Sequence, residues 1–171
     1  DLVESGSRLS FLLWGPPGTG KTTLARISAR LTESEFYEIS AVNAGVADIR
    51  KIIEGARQAW KVKRRGAVLF IDEIHRFNKA QQDAVLPHIE NGTVRLIGST
   101  TENPSFEVIP ALRSRCQTFR LEALERRQIR DILDGALQDS EKGLGESSLQ
   151  ISQEAMNMIV SHANGDARRA L

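Results

Sequence analysis

Two stretches carry residue types that could act on a phosphate. Gly15-Pro16-Pro17-Gly18-Thr19-Gly20-Lys21-Thr22 matches G-x-x-x-x-G-K-[ST], and Thr23 continues it into a helical period. Glycines let backbone N–H groups close around phosphate oxygens, and a helix N-terminus behind them adds its positive dipole end. Lys21 would bring a point charge to the outer phosphates of a nucleotide, and the Thr22 hydroxyl is suited to ligate Mg²⁺. The alternative is a strand–turn–helix that merely needs glycine. The second stretch, Val68-Leu-Phe-Ile-Asp-Glu73, is an apolar run ending in two acids. Asp72, at the carboxyl end of a strand, would hold Mg²⁺ directly or through water. Glu73 could swing toward the outermost phosphate and polarise a water for in-line attack. Its bland reading is an exposed acid at a strand end.

The elements that must position these groups alternate between strand-like runs and helical periods, the pattern of a parallel α/β sheet. Strands are expected at Leu9–Trp14, Phe36–Ile39, Ala67–Ile71, Val94–Ser99 and Thr118–Leu121. Helices are expected from Lys21 to Leu31, along Ile49, Ile52, Ile53, Ala56 and Trp60, from Asn78 to Glu90, and around Val108–Arg113. After about Glu122 the pattern turns wholly helical. Ile129, Ile132, Leu133, Ala136 and Leu137 form one stripe, and Met156, Ile159, Val160 and Ala163 another. A polar loop is expected at Gly143–Ser148, and Asp166 reads as a helix N-cap. The expected domains are therefore residues 1–122, an α/β core, and 123–171, a small helical lid that is C-terminally incomplete.

Composition narrows the class. The chain has 171 residues, 40% hydrophobic and 26% charged, which excludes a disordered, collagen-like or disulfide-rich protein. With 23 basic and 22 acidic side chains, global charge points to neither nucleic acid nor membrane. The single cysteine, Cys116, cannot form an internal disulfide, and a reducing compartment is expected. The longest apolar run is too short to span a bilayer, and no secretory leader is read at the start. The first residue is not Met and Leu171 falls inside a helical period, so a longer parent protein is expected.

With both phosphate motifs in place, the chain resembles the AAA+ ATPases. The resemblance implies a P-loop NTPase fold of AAA+ type, with ATP and Mg²⁺ as its cofactors. It implies that Gly15, Pro16, Pro17, Gly18, Thr19, Gly20, Lys21, Thr22 and Thr23 bind the nucleotide, that Thr22 and Asp72 serve the metal, and that Glu73 is catalytic. Thr100-Thr101 ends the fourth strand, where the family keeps the sensor 1 polar residue; Thr101 is the first choice and Asn103 the second. Ser114-Arg115-Cys116 resembles the SRC motif of clamp-loader subunits, whose arginine enters the neighbouring subunit's ATP site. Arg115 is placed at the sheet end that carries the phosphate loop. Gly165-Asp-Ala-Arg168 resembles the sensor 2 signature, which implies Arg168 near the γ-phosphate. Ser40 stands where some relatives restrain the catalytic glutamate.

Asp72-Glu-Ile-His-Arg-Phe-Asn-Lys79, Leu86-Pro-His-Ile-Glu90 and Thr101-Glu-Asn-Pro-Ser-Phe106 narrow the resemblance to the replication-associated recombination protein A family. Its eukaryotic members are the Werner-helicase-interacting ATPases. This implies action at stalled or gapped replication forks, a homo-oligomer (a tetramer in relatives, built by a further domain), and sequence-independent DNA binding. It also implies fork partners such as single-strand DNA-binding protein, and a bacterial cytoplasmic, nucleoid-associated or eukaryotic nuclear location. The alternatives are a Holliday-junction branch-migration motor resembling RuvB and an ATP-gated assembly switch with slow hydrolysis. A RuvB-like core would carry a long β-hairpin before the sensor 1 strand, and only Thr93-Val-Arg95 lies between Gly92 and Leu96.

Weaker signals complete the reading. Arg50, Lys51, Arg57, Lys61, Lys63, Arg64 and Arg65 surround the single acid Glu54, and read as a solvated face or a phosphate contact. The helix starts near Asn43–Ala47 and Asn78-Lys79 are the sharper DNA candidates. His75, His88 and His162 lack a second ligand at metal spacing, and His75 reads as a polar loop residue. Cys116 reads as a small buried hydrophobe, and Trp14 and Trp60 as residues packed in or near the core.

Overall fold

A computed structural model describes residues 9–147 and 149–171. Ser148, the end of the expected loop, and the chain start, where no leader is read, lie outside them. Five parallel strands form one sheet in the order β2-β3-β4-β1-β5: β1 (Ser10–Trp14), β2 (Glu35–Ser40), β3 (Ala67–Asp72), β4 (Arg95–Thr100) and β5 (Cys116–Arg120). The expected α/β class and strand number hold. β3 is buried from Ala67 to Ile71, as a continuous apolar run between two strands should be. Helices α1 (Lys21–Leu31), α2 (Val46–Lys63) and α3 (Lys79–Glu90) follow β1, β2 and β3.

The chain divides into two compact units. One holds the residues up to Trp14 and Lys21–Arg120; the other holds Gly15–Gly20 with Leu121–Leu171. In the first, Leu12, Ile49, Ile53, Leu69, Ile71 and Leu96 belong to one buried cluster. In the second, α6 (Arg126–Gln138) and α7 (Gln153–Ala163) bury Ile129, Leu133, Met156, Val160 and Ala163 against one another. The short α8 (Ala167–Ala170) follows, with the Asp166 side chain accepting from the N–H groups of Arg168 and Arg169.

Several expectations are corrected. The helix expected over Val108–Arg113 is shorter, α5 (Pro110–Arg113), and a further short helix, α4 (Pro104–Glu107), precedes it; each begins with proline. Proline excludes the helical conformation from the residue before it, and Ile109 is extended at φ −57°, ψ 144°. β4 begins one residue later than expected and β5 two residues earlier. Trp60 is 48% exposed, because the buried stripe of α2 ends at Ala56 while the helix runs on to Lys63. Cys116 is only half-buried against the core, and that burial pushes its thiol up to about 12.

Candidate active site

The turn after β3 is the most unusual backbone in the site. Glu73 has φ 54° and ψ 47°, a left-handed conformation rare outside glycine. It ends the strand and opens a 3-10 turn, Ile74–Arg76, closed by Arg76 N–H donating to the Glu73 carbonyl at 2.8 Å. Ile74 is fully buried and anchors the turn. Asp72, the last residue of β3, receives a hydrogen bond at 2.5 Å from the hydroxyl of Ser99 on β4. The same hydroxyl accepts from the Glu73 N–H at 3.4 Å, and Ser99 is completely buried. Thr101 Oγ1 lies 3.5 Å from Glu73 Oε2, a long contact. His75 Nδ1 lies 3.2 Å from that oxygen and 3.1 Å from Thr100 Oγ1. Asp72, Glu73 and Thr101 are thus brought together.

The phosphate-loop sequence runs from the end of β1 to the start of α1. Gly18 and Gly20 have φ of +68° and +86°. A Cβ on Gly18 would meet Asp166 Oδ1 at 1.7 Å, so this approach requires glycine; one on Gly20 would meet nothing within 4 Å. The Gly18 carbonyl accepts from Ala167 N–H at 3.1 Å, and Thr19 Oγ1 donates to the Pro16 carbonyl at 3.0 Å. α1 has no acid in its first turn, Lys21 is 9% exposed and Thr22 half-buried. Positive-φ glycines ahead of an acid-free helix start fit an anion such as a nucleotide phosphate. Among the described residues no group of three or more His, Cys, Asp or Glu side chains could hold a metal. Asp72 and Thr22 as the protein's oxygens suit Mg²⁺, which keeps several waters and takes its other ligands from substrate phosphates.

Asn103 caps α4, its side chain accepting from Ser105 N–H at 2.9 Å. Ser40 pairs with Asp72 across β2 and β3, and its hydroxyl accepts from Val42 N–H at 3.4 Å. Arg168 is exposed on α8, and Thr23 is exposed on α1. The placement of Arg115 is corrected. In the parallel pairing of β1 with β5, Cys116 lies opposite Ser10 and Arg120 opposite Trp14. A residue just before a parallel strand lies at the amino end, whereas the phosphate loop leaves the carboxyl end. Arg115 is exposed there, donating to the Ala111 carbonyl at 2.7 Å and pairing with Glu90. Two residues join the cluster that the sequence did not place there. Ser99 was legible as a polar residue in a buried strand; His75, expected as a polar loop residue, was not, because its position depends on the left-handed turn.

The family model for "ATPase family associated with various cellular activities (AAA)" matches residues 11–123. The chain belongs to the AAA family. The family resemblance read from its motifs is the one the comparisons return. Replication-associated recombination protein A of Escherichia coli K12 is 50% identical over 169 residues, 99% of this chain and 38% of that protein. ATPase WRNIP1 of Dictyostelium discoideum is 44% identical over 170 residues, 99% of this chain and 19% of that protein. The chain therefore spans well under half the length of these relatives. Among solved structures, the RuvB Holliday junction branch migration motor of Thermotoga maritima matches with a TM-score of 0.76 and 31% identity, over 99% of this chain and 54% of that one.

Proposed function

We propose that this AAA chain is a Mg²⁺-dependent ATPase module, working within a DNA-maintenance protein of the replication-associated recombination type. The loop N–H groups and Lys21 bind the phosphates. Thr22 and Asp72 hold Mg²⁺, which when bound neutralises charge on the phosphate oxygens. Glu73 accepts a proton from the attacking water, and Thr101 orients it. Arg168 and, from a neighbouring subunit, Arg115 complete the charge around the γ-phosphoryl, with 123–171 acting as the lid. The observation that carries this reading is the left-handed turn that sets the Glu73 carboxylate beside Thr101 and directly after the Ser99-held Asp72. Backbone strain of this kind concentrates at functional sites.

Partners follow from the relatives: a homo-oligomer, DNA bound without regard to sequence, and fork proteins such as single-strand DNA-binding protein. The start of α3, capped by Asn78, is the better DNA candidate, since Asp48 occupies the first turn of α2. A cytoplasmic or nuclear location accords with the absence, among the described residues, of any helix long and apolar enough to cross a membrane. The RuvB likeness favours a second reading, a branch-migration motor. Against it, only Asn91–Val94 connects α3 to β4.

The test uses the full-length protein. Lys21→Ala should lose tight binding of a fluorescent ATP analogue. Glu73→Gln should bind it normally and lose about 10²–10⁴-fold in turnover, the usual contribution of a general base. Equal loss of affinity in both variants would overturn these roles.

A further inference from the structure

We propose that His75 is the positioning residue for Glu73, holding its carboxylate through an Nδ1–H shared with Thr100. The inference rests on the reading of Glu73 as the base and adds to it the group that aims that base.

Hydrogen accounting assigns the tautomer. Thr100 is fully buried, and its hydroxyl donates to the Glu102 carbonyl at 3.1 Å while accepting the Glu102 N–H at 3.0 Å. A hydroxyl has one hydrogen, so the 3.1 Å contact to His75 must use the ring's Nδ1–H as donor. Glu73 Oε2, 3.2 Å from the same nitrogen, is an acceptor and requires the same tautomer. Thr100 thus fixes the ring, and the ring presents a donor to Glu73.

The arrangement is rigid on one side only. The His75 side chain is 10% exposed and sits in the 3-10 turn anchored by Ile74, whereas the Glu73 side chain is 33% exposed. Apart from His75, the polar contact to this carboxylate among the described residues is the long one from Thr101. Removing the imidazole donor leaves Glu73 on its strained backbone but free to turn into solvent. The expectation is loss of catalytic rate without loss of nucleotide binding.

Asparagine and glutamine separate positioning from bulk. The Asn Nδ2 can occupy the place of the imidazole Nδ1, whereas Gln carries its donor one bond further, nearer the place of Nε2. In the full-length protein, His75→Ala and His75→Gln should lower kcat by about 10–100-fold, the usual cost of an outer-shell partner, with KM and ATP-analogue affinity unchanged. His75→Asn should recover most of the rate. The inference fails if Asn is as slow as Gln, if all three variants turn over normally, or if affinity falls in step with kcat. Should His75→Ala not fold, the Asn and Gln pair decides. Glu73→Gln runs alongside. If it still turns over, the base assignment fails; if it is inactive while His75→Gln is fully active, only the positioning role fails.

Discussion

Asp72 shows how a single residue's chemistry depends on a neighbour in space. Its carboxylate is held at 2.5 Å by a serine from the adjacent strand, and that serine also takes up the N–H of Glu73. One buried hydroxyl therefore sets both Asp72, the proposed metal ligand, and the start of the turn that carries Glu73. Ser99→Ala removes the donor with little change of volume. The half-saturating Mg²⁺ concentration for ATP turnover should rise by about 10–100-fold, as for other outer-shell partners of metal ligands. A magnesium titration of steady-state ATPase checks this, and an unchanged titration would separate Ser99 from the metal site.

At the scale of the element, α3 carries a pH dependence of its own. His88 lies in its last turn, and its Nδ1 is buried without a partner. Burial, helped by the Arg57 charge, pushes its pKa below the ordinary 6.5. The sign follows from linkage. Below 6.5 the unfolded chain binds a proton that folded His88 resists, so stability present above that pH is lost as pH falls toward the lowered value. Thermal melts from pH 8 to pH 5 should show a decline that His88→Gln makes shallower. Identical slopes for the two proteins would show that His88 is solvated in the folded state. The same scale explains the segment after β4: Pro104 and Pro110 each start a short helix, and Pro110 keeps α4 from running on into α5.

For the whole molecule the decisive residue is Arg115. It is exposed at the amino end of the strands, away from the end from which its own phosphate loop departs, and it is paired with Glu90. An arginine so placed is suited to serve a second copy of the chain, exchanging Glu90 for the γ-phosphoryl. Arg115→Ala in the full-length protein should bind ATP nearly normally and lose about 10³–10⁵-fold in turnover, the scale of an arginine finger. Mixed with Lys21→Ala, which offers an intact finger but an empty site, it should regain part of its rate in hybrid oligomers. Full activity of Arg115→Ala alone, or no rescue despite demonstrated subunit exchange, would count against a shared finger. If Arg115 only caps the end of α5, its loss costs no more than about 1 kcal/mol of stability and leaves the rate alone.

By itself the sequence determined the phosphate loop, the acid pair that closes β3, the five strands and the family. These are written in local spacing: glycines at fixed offsets, an apolar run closed by acids, and helical or strand periods that survive without knowledge of neighbours. Thr101 was legible because it follows a strand end. Only the tertiary structure decided that Glu73 turns through a left-handed backbone, that Ser99 and Asp72 meet across β4 and β3, and that Thr100 aims His75. It also decided that the loop glycine Gly18 packs against Asp166. Each of these joins residues distant in sequence or needs a backbone conformation that no side chain announces. Register and parallel strand direction, which are properties of pairs of strands, put Arg115 at the amino end of the sheet.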